Sequence, residues 1–234
     1  VTESPLVRKL SFTGSTPVGR TLAAQCAPTL KKVSLELGGN APFLVFDDAD
    51  LDLAARVGMG SKFRNAGQTC ICANRFLVHS DVSDAFVRRL LQGIRELQVG
   101  DGLKPDTTMG PLINAEAVAH VDALVHDALE KGARRIAGCQ PHSLGGNFYE
   151  PSLLTGITPE MRIFREEIFG PVAAVMSFED EEEAVALAND TEYGLASYVC
   201  TRDIARTWRL WESLQYGMVG VNDAGLASAE TPFG

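Results

Sequence analysis

The sequence has 234 residues, of which 45% are hydrophobic and 22% charged, a balance typical of a globular chain with a sizeable core. The formal net charge of −9 argues against a nucleic-acid partner, because phosphate-binding surfaces concentrate lysine and arginine. No apolar run reaches the ~20 residues of a membrane-spanning helix, so no membrane partner is expected. The five cysteines are scattered and odd in number, which predicts a reducing, cytoplasmic compartment.

Strand-like and helix-like segments alternate along the chain. Strands are predicted at residues 7–14, 31–39, 41–46, 75–80, 134–139, 167–178, 195–201 and 218–222. Helices are predicted at residues 16–30, 48–67, 82–98, 114–133, 179–190 and 204–217. This alternation predicts an α/β fold with a mostly parallel sheet flanked by helices. The sequence lacks an initiator methionine and stops without a helix end, so we expect it to be part of a longer protein.

The segment FRNAGQTCICANR places Cys70 and Cys72 one residue apart in a polar, glycine-containing loop. Such a pair could supply a nucleophilic thiol, half of a metal site or a redox pair. A metal site is disfavoured, because the chain has only one close cysteine pair and no helical His-x-x-x-His pair. Gly67 permits a tight turn that can present the Cys70 sulfur, and a backbone N–H there could face a developing oxyanion. An unreactive loop cysteine is the alternative.

Two carboxylates occur in segments of unusual composition. Glu36 ends an otherwise apolar strand in LELGGN, where burial would raise its pKa and suit it to general-base work. The alternative for Glu36 is an ordinary solvated residue that closes a strand. In EEIFGPV, a carboxylate abuts an aromatic side chain and a Gly-Pro turn before a strand. Taken alone, that segment is equally compatible with an ordinary surface.

The segment GSTPVGRT, residues 14–21, nearly fits the phosphate-binding loop G-x-x-x-x-G-K-[ST]. Arg20 stands where the lysine is required, and Pro17 removes a backbone donor, so an ATPase site is disfavoured. A helix N-terminus at this point would serve the pyrophosphate of a dinucleotide equally well.

The four segments SFTGSTPVGR, LELGGN, GQTC and EEIFGPV, in this order, resemble the aldehyde dehydrogenase superfamily over essentially the whole chain. The resemblance implies NAD or NADP as cofactor, Cys70 as the catalytic nucleophile and Glu36 as the general base. It further implies cofactor contacts through six residues: Gly14, Ser15, Leu37, Gly38, Glu167 and Phe169. The implied reaction proceeds through a thiohemiacetal and a thioester on Cys70.

Within the superfamily, FRNAGQTCICANRF is most similar to the succinate-semialdehyde dehydrogenases. That similarity implies that Arg64 and Ser228 bind the distal carboxylate of a small aldehyde, since an arginine fork suits a carboxylate. Arg64 could instead simply cap the end of a helix. Cys72 matches a second cysteine that in some members forms a reversible disulfide with the nucleophile. An inert neighbour is the alternative for Cys72.

The resemblance also implies a domain organisation, with residues 1–37 as the C-terminal remnant of the NAD(P)-binding domain and residues 38–234 as an incomplete catalytic domain. We therefore expect the chain alone to be inactive and its full-length parent to be a homo-oligomer, either a dimer or a tetramer. Two alternatives to succinic semialdehyde oxidation stay open. The substrate could be glutaric semialdehyde or a general aliphatic aldehyde, or the chain could be a non-catalytic structural or binding protein.

Overall fold

The computed structural model describes residues 1–234 and contains nine strands and seven α-helices. The strands are β1 (Lys9–Thr13), β2 (Lys32–Glu36), β3 (Ala41–Val45), β4 (Ala73–His79), β5 (Arg134–Ala137), β6 (Ser152–Thr155), β7 (Val172–Phe178), β8 (Ala196–Cys200) and β9 (Met218–Val221). The helices are α1 (Thr16–Cys26), α2 (Leu51–Phe63), α3 (Ser80–Glu96), α4 (Ala115–Glu130), α5 (Arg162–Arg165), α6 (Glu181–Asn189) and α7 (Ile204–Ser213). No helix is both long enough and apolar enough to cross a bilayer.

The strands form two separate sheets. β1 and β2 make a parallel pair, and the other seven strands form one sheet in the order β5-β6-β7-β4-β3-β8-β9. Only β5 runs antiparallel to its neighbour in the larger sheet. Helix α3 contacts β4 and β7, while α6 contacts β3 and β4. The predicted α/β fold with a mostly parallel sheet is therefore confirmed.

The core lies along the central strands, where consecutive residues are buried because both faces of the sheet are covered. Aromatic rings from three elements meet there: Phe43 on β3, Phe76 on β4 and Phe86 on α3. The Phe43 and Phe76 ring centroids are 5.0 Å apart. Tyr198 on β8 extends this cluster, and its hydroxyl donates a 2.6 Å hydrogen bond to the Ile71 carbonyl. This hydrogen bond attaches the cysteine loop to the core of the sheet.

Several element bounds differ from the sequence prediction, and the short helix α5 was not predicted. Helix α2 ends at Phe63, four residues before the predicted end, because Arg64 leaves the helical region with ψ 133°. The strand predicted from residue 167 begins only at Val172, because the preceding residues form a loop. Strand β6 was not predicted, since four residues following a proline give too short a pattern.

The loops before β3, β4 and β7 lie at one edge of the larger sheet. These three strands are adjacent and parallel, so their amino ends coincide. Their preceding loops carry Gly38, Cys70 and Glu167, respectively. Topology thus brings together three of the segments singled out in the sequence.

Candidate active site

The cysteine loop begins with three successive residues in the left-handed region: Asn65 (φ 52°), Ala66 (φ 54°) and Gly67 (φ 75°). This conformation costs a non-glycine residue about 1–2 kcal/mol, so the loop must be held by its surroundings. Gln68 supplies part of the restraint. Its side-chain amide donates to the Asn65 carbonyl (3.1 Å), and its oxygen accepts from the Ile113 N–H (2.9 Å). The loop is therefore a defined structure that presents Cys70 in one place.

Cys70 is half-buried, whereas the other four cysteines are buried, and no disulfide is present. Burial raises the pKa of the Cys70 thiol, and the nearby carboxylates of Glu167 and Glu36 raise it further. The backbone N–H groups of Cys70 and Ile71 act in the opposite direction by favouring the thiolate. These two N–H groups are also suitable donors to an oxyanion that forms beside the sulfur.

Glu167 lies against the glycine turn before β3. Its Oε1 accepts a 2.9 Å hydrogen bond from the Gly39 N–H, and a Cβ on Gly38 would overlap with Oε2. Burial raises the pKa of the Glu167 carboxyl, while the Gly39 hydrogen bond and the charge of Lys62 lower it. Gly38 therefore gives the carboxylate room to approach the turn, and the backbone N–H of Gly39 holds it there.

A cleft of about 630 Å³ joins these segments. Its lining comprises Thr13, Gly14, Ser15, Leu37, Gly38, Gln68, Thr69, Cys70, His120, Glu167 and Phe169. All six residues predicted to contact the cofactor are in this set, together with the predicted nucleophile. The structure thus gathers seven predicted site residues around one cavity.

Two features of the cleft fit a polar, anionic ligand such as a dinucleotide. Ser15 precedes α1 and does not cap it through its side chain, so the N–H groups of Thr16 and Val18 receive no side-chain acceptor. The Thr69 hydroxyl is buried and has no hydrogen-bond partner, which a ligand would supply. Phe169 adds an aromatic face, with 38% of its surface exposed and a left-handed φ of 48°.

Glu36 ends β2 next to the cleft but does not line it. Its side chain is half-buried rather than buried, its carbonyl accepts from the Gly14 N–H (3.0 Å), and Gly234 lies beside its carboxylate. Because its charge raises the pKa of the Cys70 thiol, Glu36 is an electrostatic neighbour of that sulfur.

Three further predicted residues lie outside the cleft lining. Arg64 and Ser228 are both exposed, and no hydrogen bond joins them; the Ser228 hydroxyl lies 3.0 Å from the Thr231 hydroxyl. The Cys72 sulfur is buried and lies 3.6 Å from the carbonyl oxygens of Lys62 and Ala73. No group of three or more His, Cys, Asp or Glu side chains is placed to hold a metal ion.

Sequence reasoning missed His120 and Arg75. The His120 ring lines the cleft, and its Nε2 lies 3.0 Å from the Glu167 carbonyl oxygen. Arg75 is buried on β4 and donates to the Asn40 carbonyl, which follows the glycine turn. A histidine on an amphipathic helix and an arginine opening a strand give no sequence signal, because only the tertiary fold places them at the site.

Comparison with known proteins places this geometry in a family. The model of the "Aldehyde dehydrogenase family" matches residues 1–234. The chain is 56% identical to a 3-sulfolactaldehyde dehydrogenase of Pseudomonas putida and 53% identical to an NADP(+) succinate-semialdehyde dehydrogenase of Escherichia coli. Each alignment covers 100% of this chain and 48% of the relative, so the chain spans about half the length of the curated relatives it matches.

A solved structure of a family member also matches this chain. The crystal structure of a succinate-semialdehyde dehydrogenase from Burkholderia pseudomallei superimposes with a TM-score of 0.98 at 55% identity, covering 100% of this chain and 48% of that one. The match of both sequence and fold over all 234 residues confirms the resemblance seen in the four motifs. The chain belongs to the aldehyde dehydrogenase family.

Proposed function

We propose that the protein containing this chain oxidises succinic semialdehyde to succinate, with NAD or NADP as cofactor and Cys70 as the covalent nucleophile. One observation carries this proposal: the only cysteine that is not buried lies in the same cleft as all six predicted cofactor contacts. An inert loop cysteine would have no reason to lie among them.

The proposed chemistry begins at Cys70. Its thiolate adds to the aldehyde carbon, and the resulting oxyanion accepts hydrogen bonds from backbone N–H groups at the loop. The bound cofactor supplies the two-electron oxidation that turns the thiohemiacetal into a thioester. Glu36 then takes a proton from the water that attacks the thioester, which releases the carboxylate product and regenerates the thiolate. The electrostatic influence of Glu36 on the Cys70 thiol supports this division of roles.

The cofactor would be held by residues of the cleft lining. Gly14 and Ser15, at the start of α1, suit the pyrophosphate, because an open helix N-terminus attracts anions. Leu37, Glu167 and Phe169 would contact the nicotinamide end next to Cys70. The choice between NAD and NADP stays open, and the E. coli relative is named for NADP(+).

A distal anionic group on the substrate is supported by two of the relatives. The aldehydes in their names carry a sulfonate in one case and a carboxylate in the other. Arg64 is exposed close to the cysteine loop and has no ion-pair partner, so its guanidinium is available to an anion. We propose that Arg64 binds the distal carboxylate with help from Ser228, which requires the segment around residue 228 to approach Arg64.

The domain boundary, the assembly state and the role of Cys72 are part of the same proposal. Residues 1–37 hold the β1–β2 pair, separate from the larger sheet, which supports a boundary near residue 37. The whole protein would be a dimer or tetramer, and this chain alone would be inactive. Cys72 would serve as a redox partner only after moving from its buried site.

The decisive experiment is NAD(P)H formation by the full-length protein that contains this chain. Succinic semialdehyde, glutaric semialdehyde and butyraldehyde are compared with NAD and with NADP, with Cys70→Ser as the control. We expect succinic semialdehyde to give the highest kcat/KM and Cys70→Ser to abolish turnover. Equal rates with butyraldehyde would indicate a general aliphatic aldehyde dehydrogenase. An intact, reduced protein with no activity and an unreactive Cys70 would instead favour a binding or structural role.

A further inference from the structure

Lys62, the penultimate residue of α2, is fully buried directly behind the cysteine loop. It takes part in no ion pair; its ammonium group donates to Asn74 Oδ1 at 3.4 Å and also interacts with the Cys72 thiol. A buried ammonium group costs several kcal/mol unless its surroundings compensate for it. A lysine retained in such a place therefore calls for a role that a methionine of similar shape would not fill.

The polar groups around Lys62 belong to the candidate site. Burial lowers the pKa of the Lys62 ammonium group, whereas the neighbouring Cys72 thiol and Glu167 carboxylate raise it. The Cys72 sulfur in turn lies 3.6 Å from the Lys62 carbonyl oxygen. Both ends of the lysine residue thus contact the cysteine loop from within the core.

A chain of buried amides continues from Lys62 across the amino edge of the sheet. Asn74 accepts from the Lys62 ammonium and donates to Asn40 Oδ1 at 3.2 Å. Asn40 in turn donates to the Phe164 carbonyl at 3.0 Å. Asn74, Asn40 and Phe164 lie close in sequence to Cys70, Gly39 and Glu167, respectively. A single chain of hydrogen bonds therefore runs behind all three site segments.

On the side that faces the cleft, the same three segments are closely packed against one another. A Cβ on Gly39 would overlap with the Cys70 carbonyl oxygen, and one on Gly38 would overlap with the Glu167 carboxylate. Because interiors are close-packed, displacement of one segment must move the others. The position of the Cys70 sulfur relative to the N–H groups of Cys70 and Ile71 depends on this packing.

We propose that Lys62 is a positioning residue for Cys70, acting through Cys72 and Asn74 to hold the cysteine loop against the start of β3. Lys62 does not line the cleft. The inference deepens the proposed function, since it rests on Cys70 as the reactive thiol. It predicts that the hydrogen bond from residue 62, rather than the bulk of its side chain, sets the reactivity of Cys70.

The test is alkylation of the full-length protein that contains this chain by iodoacetamide as a function of pH, followed by mass spectrometry to locate the label. The other four cysteines are buried, so the native protein reports on Cys70. Lys62→Met removes the donor with a side chain one atom shorter, and Lys62→Gln has the length of methionine but keeps a donor without the charge. Thr155→Val is the matched control, because it converts a buried, unpartnered hydroxyl on β6 into a methyl group.

We expect Lys62→Met to raise the midpoint of the alkylation profile by about half a pH unit or more, which makes labelling about threefold slower below the midpoint. The reason is that a displaced loop loses the backbone N–H groups that favour the thiolate. Lys62→Gln should restore the wild-type midpoint, and Thr155→Val should leave it unchanged. A wild-type midpoint in Lys62→Met would overturn the proposal. Equal shifts in Lys62→Met and Lys62→Gln would also overturn it, since they would indicate an effect of charge alone.

Amide hydrogen exchange provides a second measurement that does not depend on the thiol. Lys62→Met should speed exchange in residues 38–40, 69–73 and 164–168 together, and Thr155→Val should not. If wild-type Cys70 failed to react, the proposed nucleophile would be wrong, while unchanged exchange in these three segments would refute the role of Lys62 separately.

Discussion

Gly39 packs directly against the backbone carbonyl of Cys70, so closely that a methyl group on residue 39 would overlap with that oxygen. The contact joins the turn before β3 to the loop before β4. It explains why the cysteine loop and the Gly38–Gly39 pair must be considered as one structural unit. It also makes glycine at position 39 a requirement of space, because the neighbouring atom is backbone and cannot rotate away.

Substitution of Gly39 by alanine should therefore be destabilising. The added methyl group forces the Cys70 carbonyl to move, and overpacking of this kind costs about 1–3 kcal/mol of unfolding free energy. Gly60→Ala is the control, because Gly60 lies within α2 and an added Cβ meets only Ala224, at 3.9 Å. That change should raise stability by up to about 1 kcal/mol through helix propensity. Urea unfolding measures both values, and a Gly39→Ala chain as stable as wild type would contradict the close approach.

The pH dependence of Cys70 alkylation should respond to Glu167. Burial is the main cause of the raised thiol pKa, and the negative charge of Glu167 adds to it. A negative charge disfavours the thiolate, so Glu167→Gln should lower the thiol pKa and move the alkylation midpoint to lower pH. Labelling near neutral pH should then become faster than in wild type.

The neighbouring residue supplies the control for that shift. Glu166 pairs with Arg162 (2.7 Å), and its charge is not among the main influences on the Cys70 thiol. Glu166→Gln should therefore leave the alkylation midpoint where it is in wild type. If both variants moved the midpoint equally, the effect would come from net charge rather than from the position of Glu167.

Most of the fold could be predicted from the sequence, because hydrophobic periodicity is a local property. Strands such as Ala41–Val45 are short apolar runs, and helices such as Ser80–Glu96 have apolar residues at helical spacing. The end of α2 could not be predicted in this way. Asn65 and Ala66 adopt left-handed conformations only because the folded loop holds them, and no local preference of alanine favours that geometry.

The residues of the site also differ in whether the sequence could identify them. Cys70 and Glu36 stand in segments of unusual composition, whereas Glu167 was singled out only by the resemblance of EEIFGPV, together with the other three motifs, to the superfamily. Lys62 and Arg75 carry no such mark, since a lysine near a helix end and an arginine in a strand are usually solvated. Their burial is decided by which strands become neighbours, and a single sequence does not contain that information locally.

Arg64 provides the test of substrate selectivity in the full-length protein. Loss of a charged hydrogen bond to a distal carboxylate should lower kcat/KM for succinic semialdehyde by about ten- to a hundredfold in Arg64→Ala. The value for butyraldehyde should stay nearly constant, because that aldehyde has no carboxylate to bind. Arg88→Ala, at another exposed arginine without an ion pair, should change neither value. An equal loss for both aldehydes would return Arg64 to a structural role at the end of α2.

Replacement of the buried Arg75 should lower the free energy of unfolding more than replacement of any exposed arginine. Its guanidinium is 1% exposed, has no carboxylate partner and donates to the carbonyls of Asn40, Leu187 and Ala188. Arg75→Met would remove these charged donors, although the Ala188 and Leu187 carbonyls keep the Tyr216 hydroxyl and the Asp190 N–H as donors. We expect a loss of about 3–5 kcal/mol in unfolding free energy.

The comparison for Arg75 is Arg209→Met. Arg209 is half-exposed and pairs with Glu181 (2.6 Å), and pairs of that kind contribute at most about 1 kcal/mol because water and salt screen them. Both variants should lose unfolding free energy in denaturant, and the loss should be several kcal/mol larger for Arg75→Met. Similar losses would mean that water enters the Arg75 site and satisfies the carbonyls. In that case the anchoring of Asn40, and with it the rigidity of the glycine turn, would have to come from the amide chain through Asn74 alone.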